Sequence, residues 1–179
     1  MHTTIYDNFL KKEHFESIQN EVITKAFPFY TNEGISYKGD GLFQLVHVFY
    51  DDGLPESNWF SFIKDVLVEY QNTLPENVSV LPLKIKANLG TRTKEHEESE
   101  YHTDQGGHKN LIKPEYKTGI LYLNTCNGYT EFKGDKQKYS SQANRFVVFD
   151  GNSHHRSVSQ TDTAFRYVIN FNWIEKETE

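Results

Sequence analysis

The chain has 179 residues, a formal net charge of −6 at pH 7 and one cysteine, Cys126. That length suffices for one substantial core and is read as a single domain, 1–179; one cysteine excludes an intrachain disulfide and a thiolate-based structural zinc site, and the acidic balance argues against a general nucleic-acid binder without excluding a local basic patch. Aromatic residues make up 15%, with 13 Phe and 11 Tyr against 36% hydrophobic residues overall, which suits a β-rich core filled by a few large rings.

Residues 1–7 lack the basic and apolar regions of a signal peptide. No later window reaches transmembrane length, so a cytoplasmic protein without membrane contact is expected. A helix is predicted from Asn8 to about Lys25, with Phe15, Ile18 and Val22 on one face and Asp7 or Asn8 as its cap. A second is predicted from Ser57 to about Asn72, with an apolar stripe of Trp59, Phe62, Ile63, Val66, Leu67 and Tyr70. Strands are predicted over Leu42–Tyr50 and Leu83–Leu89, with Pro75 and Pro82 punctuating the gap that follows the second helix. Leu83, Ile85, Ala87 and Leu89 form the apolar face of the latter strand, which assigns Lys84, Lys86 and Asn88 to the outside. Further strands follow at Gly119–Asn124, Tyr129–Phe132, Arg145–Asp150, Arg156–Gln160 and Phe165–Trp173. Turn signals separate them: Asn127-Gly128, Gly134-Asp135, the run 150–153 and Thr161-Asp162. Many short strands after an α-rich N-terminal third predict an α+β, mainly β protein: an antiparallel sandwich or barrel with helices on one side.

His102 and Asp104 lie two positions apart, so on an extended segment they point the same way. With 8 histidines in 179 residues such a pair alone is close to a chance event. A third ligand from the later His154-His155 cluster would complete two histidines and one carboxylate, the facial triad of non-haem Fe(II) oxygenases with open positions for substrates. Adjacent strand residues face opposite ways, so only one of His154 and His155 can serve. In the last strand Phe165, Tyr167, Ile169, Phe171 and Trp173 share one face; Arg166, Val168, Asn170 and Asn172 share the other, toward solvent or a functional cavity. Arg166 follows His155 by eleven residues, placing it beside that histidine if the two strands pair. Its fork matches a carboxylate, either the distal one of a dicarboxylic co-substrate or an ordinary surface partner. The charged run Arg92–Glu100 reads as solvated, and Gln105–Lys117, with Gly106-Gly107, reads as a solvated loop able to act as a lid. His96-Glu97 does not make a zinc-protease motif, because position 100 is Glu rather than His.

Taken in order, these pieces resemble the catalytic core of the 2-oxoglutarate/Fe(II)-dependent oxygenases, especially small prolyl-4-hydroxylase-like members of bacteria and phages. Tyr101-His102-Thr103-Asp104 resembles the first metal motif, and the run from Thr118 to Asn124 the strand after the substrate loop. Gly128-Tyr129-Thr130-Glu131-Phe132 is similar to the family's Gly-Gly-x-Thr-x-Phe element, although the usual second glycine is replaced near Asn127-Gly128. Asn144 to Asp150 resembles the strand leading to the second histidine. His155-Arg156-Ser157 and Phe165 to Phe171 resemble the distal ligand and the arginine strand, with Val168 standing where some relatives carry a hydroxyl. The resemblance covers roughly 80–174.

It implies a double-stranded β-helix, a jelly-roll or cupin-like barrel over about 80–174, buttressed by helices within about 8–73. It implies Fe(II) on the catalytic triad His102, Asp104 and His155, favouring His155 over His154. Arg166 then anchors 2-oxoglutarate, with Tyr122 as a second contact or else a core tyrosine. The implied chemistry is O2-dependent hydroxylation of a protein side chain or small molecule, releasing succinate and CO2, with ascorbate as an optional reductant, in a bacterial or phage-infected cell. Two other classes remain in view: a cupin-like metal- or ligand-binding module without turnover, and a structural β-sandwich of a virion.

Overall fold

Two long antiparallel strands frame the molecule, whose computed structural model describes residues 3–24, 26–104, 116–134 and 136–177. They are β5 (Val78–Thr91) and β11 (Phe165–Glu177), paired from Phe165↔Thr91 to Glu177↔Val78. Pro82 lies inside β5 rather than before it. The register slips at Asn172/Trp173, opposite Lys84 and Pro82, and a bulge is where a ladder tolerates a residue without an N–H.

Around this pair the larger sheet adds β1 (Thr3–Tyr6), β2 (Tyr30–Glu33), β3 (Phe43–Asp51), β4 (Leu54–Pro55), β6 (Lys117–Tyr122) and β9 (Arg145–Asp150). Their order is β1-β9-β6-β11-β5-β3-β2, with β4 also on β3. A smaller sheet, in the order β10-β7-β8, comprises β7 (Tyr129–Phe132), β8 (Lys138–Ser140) and β10 (His155–Val158). Every pairing is antiparallel. This mainly β layout with few helices is consistent with the double-stranded β-helix expected.

The larger sheet is apolar on both faces, for different reasons. Ile85, Ala87, Ile169, Phe171 and Trp173 share a core with Phe15, Ile18 and Val22 of α1 (Lys12–Val22), Ile63 of α2 (Phe60–Ile63), and Val66, Leu67 and Tyr70 of α3 (Asp65–Gln71). Gly119 belongs to this packing. A Cβ there would stand against the Phe146 ring and 2.8 Å from Trp173 Cζ3, so the rings lie flat on β6 only because the side chain is absent. The other face contributes Ile120, Tyr122, Val147, Phe149 and Val168, which meet Phe132 and Tyr139 of the smaller sheet.

The N-terminal third is less helical than expected, since β1 to β4 lie within it. The second helix is two short ones broken at Lys64. Its apolar stripe runs through the joint, so periodicity could not reveal the break. Ser57 stands before the helix, where its Oγ accepts the Trp59 N–H at 3.2 Å and bonds His47 Nε2 at 2.8 Å. Among the described residues no helix is long and apolar enough to cross a membrane.

Candidate metal centre

His102 and His155 face each other across an antiparallel bridge. Each backbone N–H donates to the other's carbonyl, at 2.9 and 3.0 Å. Reciprocal pairing of this kind puts both side chains on one face, and the ring centroids are 5.0 Å apart. The ladder extends backwards through Ser99 N–H to the Ser157 carbonyl, the Glu98↔Val158 bridge and Ser159 N–H to the Glu97 carbonyl. The end of the charged run read as solvated is therefore an edge strand in effect, holding the first histidine against β10.

Both imidazoles have a set tautomer. His102 Nδ1 donates to the Glu100 carbonyl at 3.0 Å and His155 Nδ1 to the Ser153 carbonyl at 3.1 Å. A carbonyl only accepts, so both Nδ1 atoms carry the hydrogen and both Nε2 lone pairs are left for a metal. The two Nε2 atoms stand 3.9 and 3.7 Å from Asp104 Oδ1, and the three ligand atoms lie within 4.8 Å of one another. The other Asp104 oxygen accepts from Asn172 Nδ2 at 3.1 Å, and Asn172 is itself held by Thr118 Oγ1 at 2.9 Å. Such outer partners orient a ligating carboxylate. Burial pushes the Asp104 carboxyl up, but His155, His102, Lys86 and the Asn172 hydrogen bond outweigh it and hold it below the ordinary carboxylate value. Burial holds His155 below the ordinary imidazole value, against the pull of Asp104. Two imidazoles presenting Nε2 beside an ionised carboxylate are a donor set suited to a divalent cation. His154 is not part of the cluster: it is exposed at the edge of the same cavity, and its carbonyl accepts the Lys133 N–H.

The cluster opens into a cavity of about 1160 Å³ between the sheets. Arg166 lies in its wall, 7% exposed. It does not pair beside His155 as the spacing suggested. β11 pairs with β5 and β6, whereas β10 belongs to the other sheet, so the guanidinium reaches across the interior instead. Nη1 donates to Ser157 Oγ at 3.0 Å and Nη2 to Thr130 Oγ1 at 3.4 Å, while Nε is buried without a partner. None of the ion pairs among the described residues includes Arg166. Gly128 makes its berth, since a Cβ there would meet Arg166 Cδ at 2.9 Å. Tyr122 is fully buried beneath it, the ring centroid 5.4 Å from the guanidinium carbon and the hydroxyl donating to Thr130 Oγ1 at 2.9 Å. Lys86 and Asn88, assigned to the outside by alternation, also line the cavity. Alternation distinguishes two faces, but it cannot tell bulk solvent from a polar interior.

The sequence matches no protein-family model and no curated relative. Solved structures do resemble the fold. The viral collagen prolyl hydroxylase of Paramecium Bursaria Chlorella virus-1, in its 2OG complex, has a TM-score of 0.61 at 13% identity, covering 100% of this chain and 97% of that one. An oxidoreductase of the 2OG-Fe(II) oxygenase family from Burkholderia pseudomallei has a TM-score of 0.69 at 7% identity, covering 96% and 84%. A prolyl hydroxylase from Trichoplax adhaerens, in complex with a hypoxia inducible factor peptide fragment, has a TM-score of 0.63 at 14% identity, covering 96% and 82%. The chain has the fold of the 2-oxoglutarate/Fe(II) oxygenases.

Within that oxygenase fold two supports of the site escaped sequence reasoning. Behind the cluster, Glu131 accepts from the Tyr101 hydroxyl at 2.5 Å and from Arg156 Nε at 2.9 Å; Arg156 also pairs with Glu98 and lies 4.5 Å over the Tyr101 ring. The Tyr101 hydrogen bond, with help from Arg156, holds the Glu131 carboxyl below its ordinary value. This clamp joins the residues next to His102 and His155. At the mouth, Asp40 accepts from the N–H groups of Ile35, Ser36 and Leu42, and Ser36 Oγ donates to the Glu100 carbonyl at 2.6 Å. The segment Gln105–Lys117, read as a solvated loop able to act as a lid, falls outside the described residues except for its last positions, where Lys117 pairs with Asp150 at 2.6 Å.

Proposed function

We propose that this chain is a 2-oxoglutarate- and O2-dependent non-haem Fe(II) dioxygenase that hydroxylates an unactivated C–H of a small molecule or protein side chain. The observation that carries this reading is Arg166: a buried guanidinium with no carboxylate partner among the described residues, in the same cavity as two histidines and an aspartate. A buried cation is stable only when paired, and its fork fits the distal carboxylate of 2-oxoglutarate. A metal-binding module without turnover gives that arginine no role.

His102, Asp104 and His155 would hold the metal, and Arg166, with Ser157 and Thr130, the co-substrate. Fe(II) with 2-oxoglutarate supplies the oxidising power: one atom of O2 enters the substrate C–H to give C–OH, the other enters succinate, and CO2 leaves. The protein's own residues position and neutralise. The Glu100 and Ser153 carbonyls hold a hydrogen on each Nδ1 and so turn both Nε2 atoms toward the metal, Asn172 turns Asp104 toward them, and Ser157 and Thr130 keep the guanidinium from swinging out. Tyr122 acts through Thr130, whose oxygen it shares with Arg166. Ile120 and Val168 add an apolar strip to the wall of the same space.

Calorimetry without oxygen tests the reading directly. Mn(II)-loaded protein should bind 2-oxoglutarate, and with Fe(II), ascorbate and O2 it should release succinate, slowly when no second substrate is present. Failure to bind 2-oxoglutarate in the presence of metal would return the protein to the binding-module class.

A further inference from the structure

With metal and co-substrate in place, the charges of the inner cavity nearly cancel. Fe(II) brings two positive charges and Arg166 one, against one negative charge on Asp104 and two on 2-oxoglutarate. His102 and His155 add no charge once each Nε2 holds the metal, because the only ring N–H then left on each is the Nδ1–H donated to a carbonyl. Lys86 is left over. It projects from β5 into the cavity, directly across from Asn170 of β11, and it forms no hydrogen bond or ion pair among the described residues. Burial works against its charge, and the opposing pull comes chiefly from Asp104, already committed to the cluster. The other charged lining groups are spoken for or exposed. Glu33 pairs with Lys38 at the mouth, Arg156 pairs with Glu131 and Glu98, and Glu97 faces solvent.

Two further groups beside Lys86 lack partners. The Oδ1 atoms of Asn88 and Asn170 are buried without a hydrogen-bond donor. Asn88 stands opposite Val168, two residues along β5 from Lys86 and diagonal to Asn170. Directly opposed side chains on a sheet are about 5 Å apart and diagonal ones about 7–8 Å. A free cation and two free acceptors thus share one small patch of wall, and the ligand that satisfies them carries an anion and several N–H donors on neighbouring atoms.

We propose that the substrate oxidised at this site is a free α-amino acid, its carboxylate on Lys86 and its ammonium donating to the amide oxygens of Asn88 and Asn170. An α-amino acid carries both groups on one carbon, which suits adjacent partners: its carboxylate pairs the Lys86 charge that the loaded cavity leaves unpaired, and its ammonium takes up the two free amide oxygens. The inference rests on the oxygenase reading, which also fixes the stoichiometry: one C–H beyond the α-carbon of the amino acid gains an oxygen atom as 2-oxoglutarate becomes succinate and CO2.

The test is anaerobic calorimetry on protein loaded with Mn(II) and 2-oxoglutarate, titrated with each of the twenty L-amino acids and then with the carboxamide of any that binds. At least one amino acid should bind, with its amide at least tenfold weaker. Lys86→Met should lower the amino-acid affinity at least tenfold and Lys86→Arg by less than threefold, while 2-oxoglutarate affinity in both stays within threefold of wild type. The inference is overturned if protein that binds 2-oxoglutarate takes none of the twenty. Equal binding of acid and amide overturns it too, as does a Lys86→Met variant that loses 2-oxoglutarate affinity instead. Protein that binds no 2-oxoglutarate at all sinks the oxygenase reading itself, so the two failures are told apart.

Discussion

His154 and His155 are neighbours in sequence and opposites in the fold, one exposed and one bridged to His102. Their replacement separates the two candidates for the third ligand. His155→Ala should weaken Mn(II) binding by about 100-fold or more, His154→Ala by less than about threefold, and Asn172→Ala by about tenfold, as outer partners of metal ligands commonly do; metal titration reads all three. Arg166→Met should weaken 2-oxoglutarate binding about 30-fold or more, since breaking a buried, hydrogen-bonded charge pair costs about 2–5 kcal/mol, and calorimetry checks it. The cluster was legible in the sequence because strand alternation forces His102 and Asp104 to one side, and forbids His154 and His155 from sharing one. Arg166 was legible as a residue on the polar face of its strand, pointing either to solvent or into a cavity. Its partners Ser157 and Thr130 were not, because they come from the opposite sheet and no local pattern records which strands face each other.

Strands with a buried face announce themselves, and those without do not. The observed β7 and β9 coincide with the predicted segments Tyr129–Phe132 and Arg145–Asp150, both rich in buried aromatic and β-branched residues. β2, exposed along its whole length, and the two- to four-residue strands β1, β4 and β8 carry too little alternation to detect. The segment 97–102 was hidden by its charges, which clothe the outer side of an edge while the backbone pairs with β10. At the same scale, Gly119 lets β6 lie under two rings. Gly119→Ala should destabilise the fold by about 1–3 kcal/mol through overpacking, seen as a lower urea midpoint with an unchanged slope.

Across the whole molecule, stability should fall with acid. His47 is buried among Phe27, Phe49 and Trp59, with Nδ1 donating to the Pro28 carbonyl and Nε2 bonded to Ser57. Burial holds it below the ordinary histidine value of 6.5. Below that pH the unfolded polypeptide takes up a proton that the folded one refuses. The stabilisation is therefore complete above 6.5 and declines as pH falls, by at most about 1.4 kcal/mol per pH unit for one proton. Thermal melts from about pH 7 to about pH 5 should show the decline, and His47→Gln should flatten it.

Gly128 has a consequence for the molecule as a whole. One methyl group at that position would stand 2.9 Å from Arg166 Cδ, 3.1 Å from the Val158 carbonyl oxygen and 3.2 Å from Gln160 Cβ, with no atom of the triad or the helices among these nearest neighbours. An alanine there would leave the two histidines, the aspartate and the long strands in place and crowd the seat of the buried guanidinium. A residue without a side chain thus decides how close a buried cation can lie to the strand beside it.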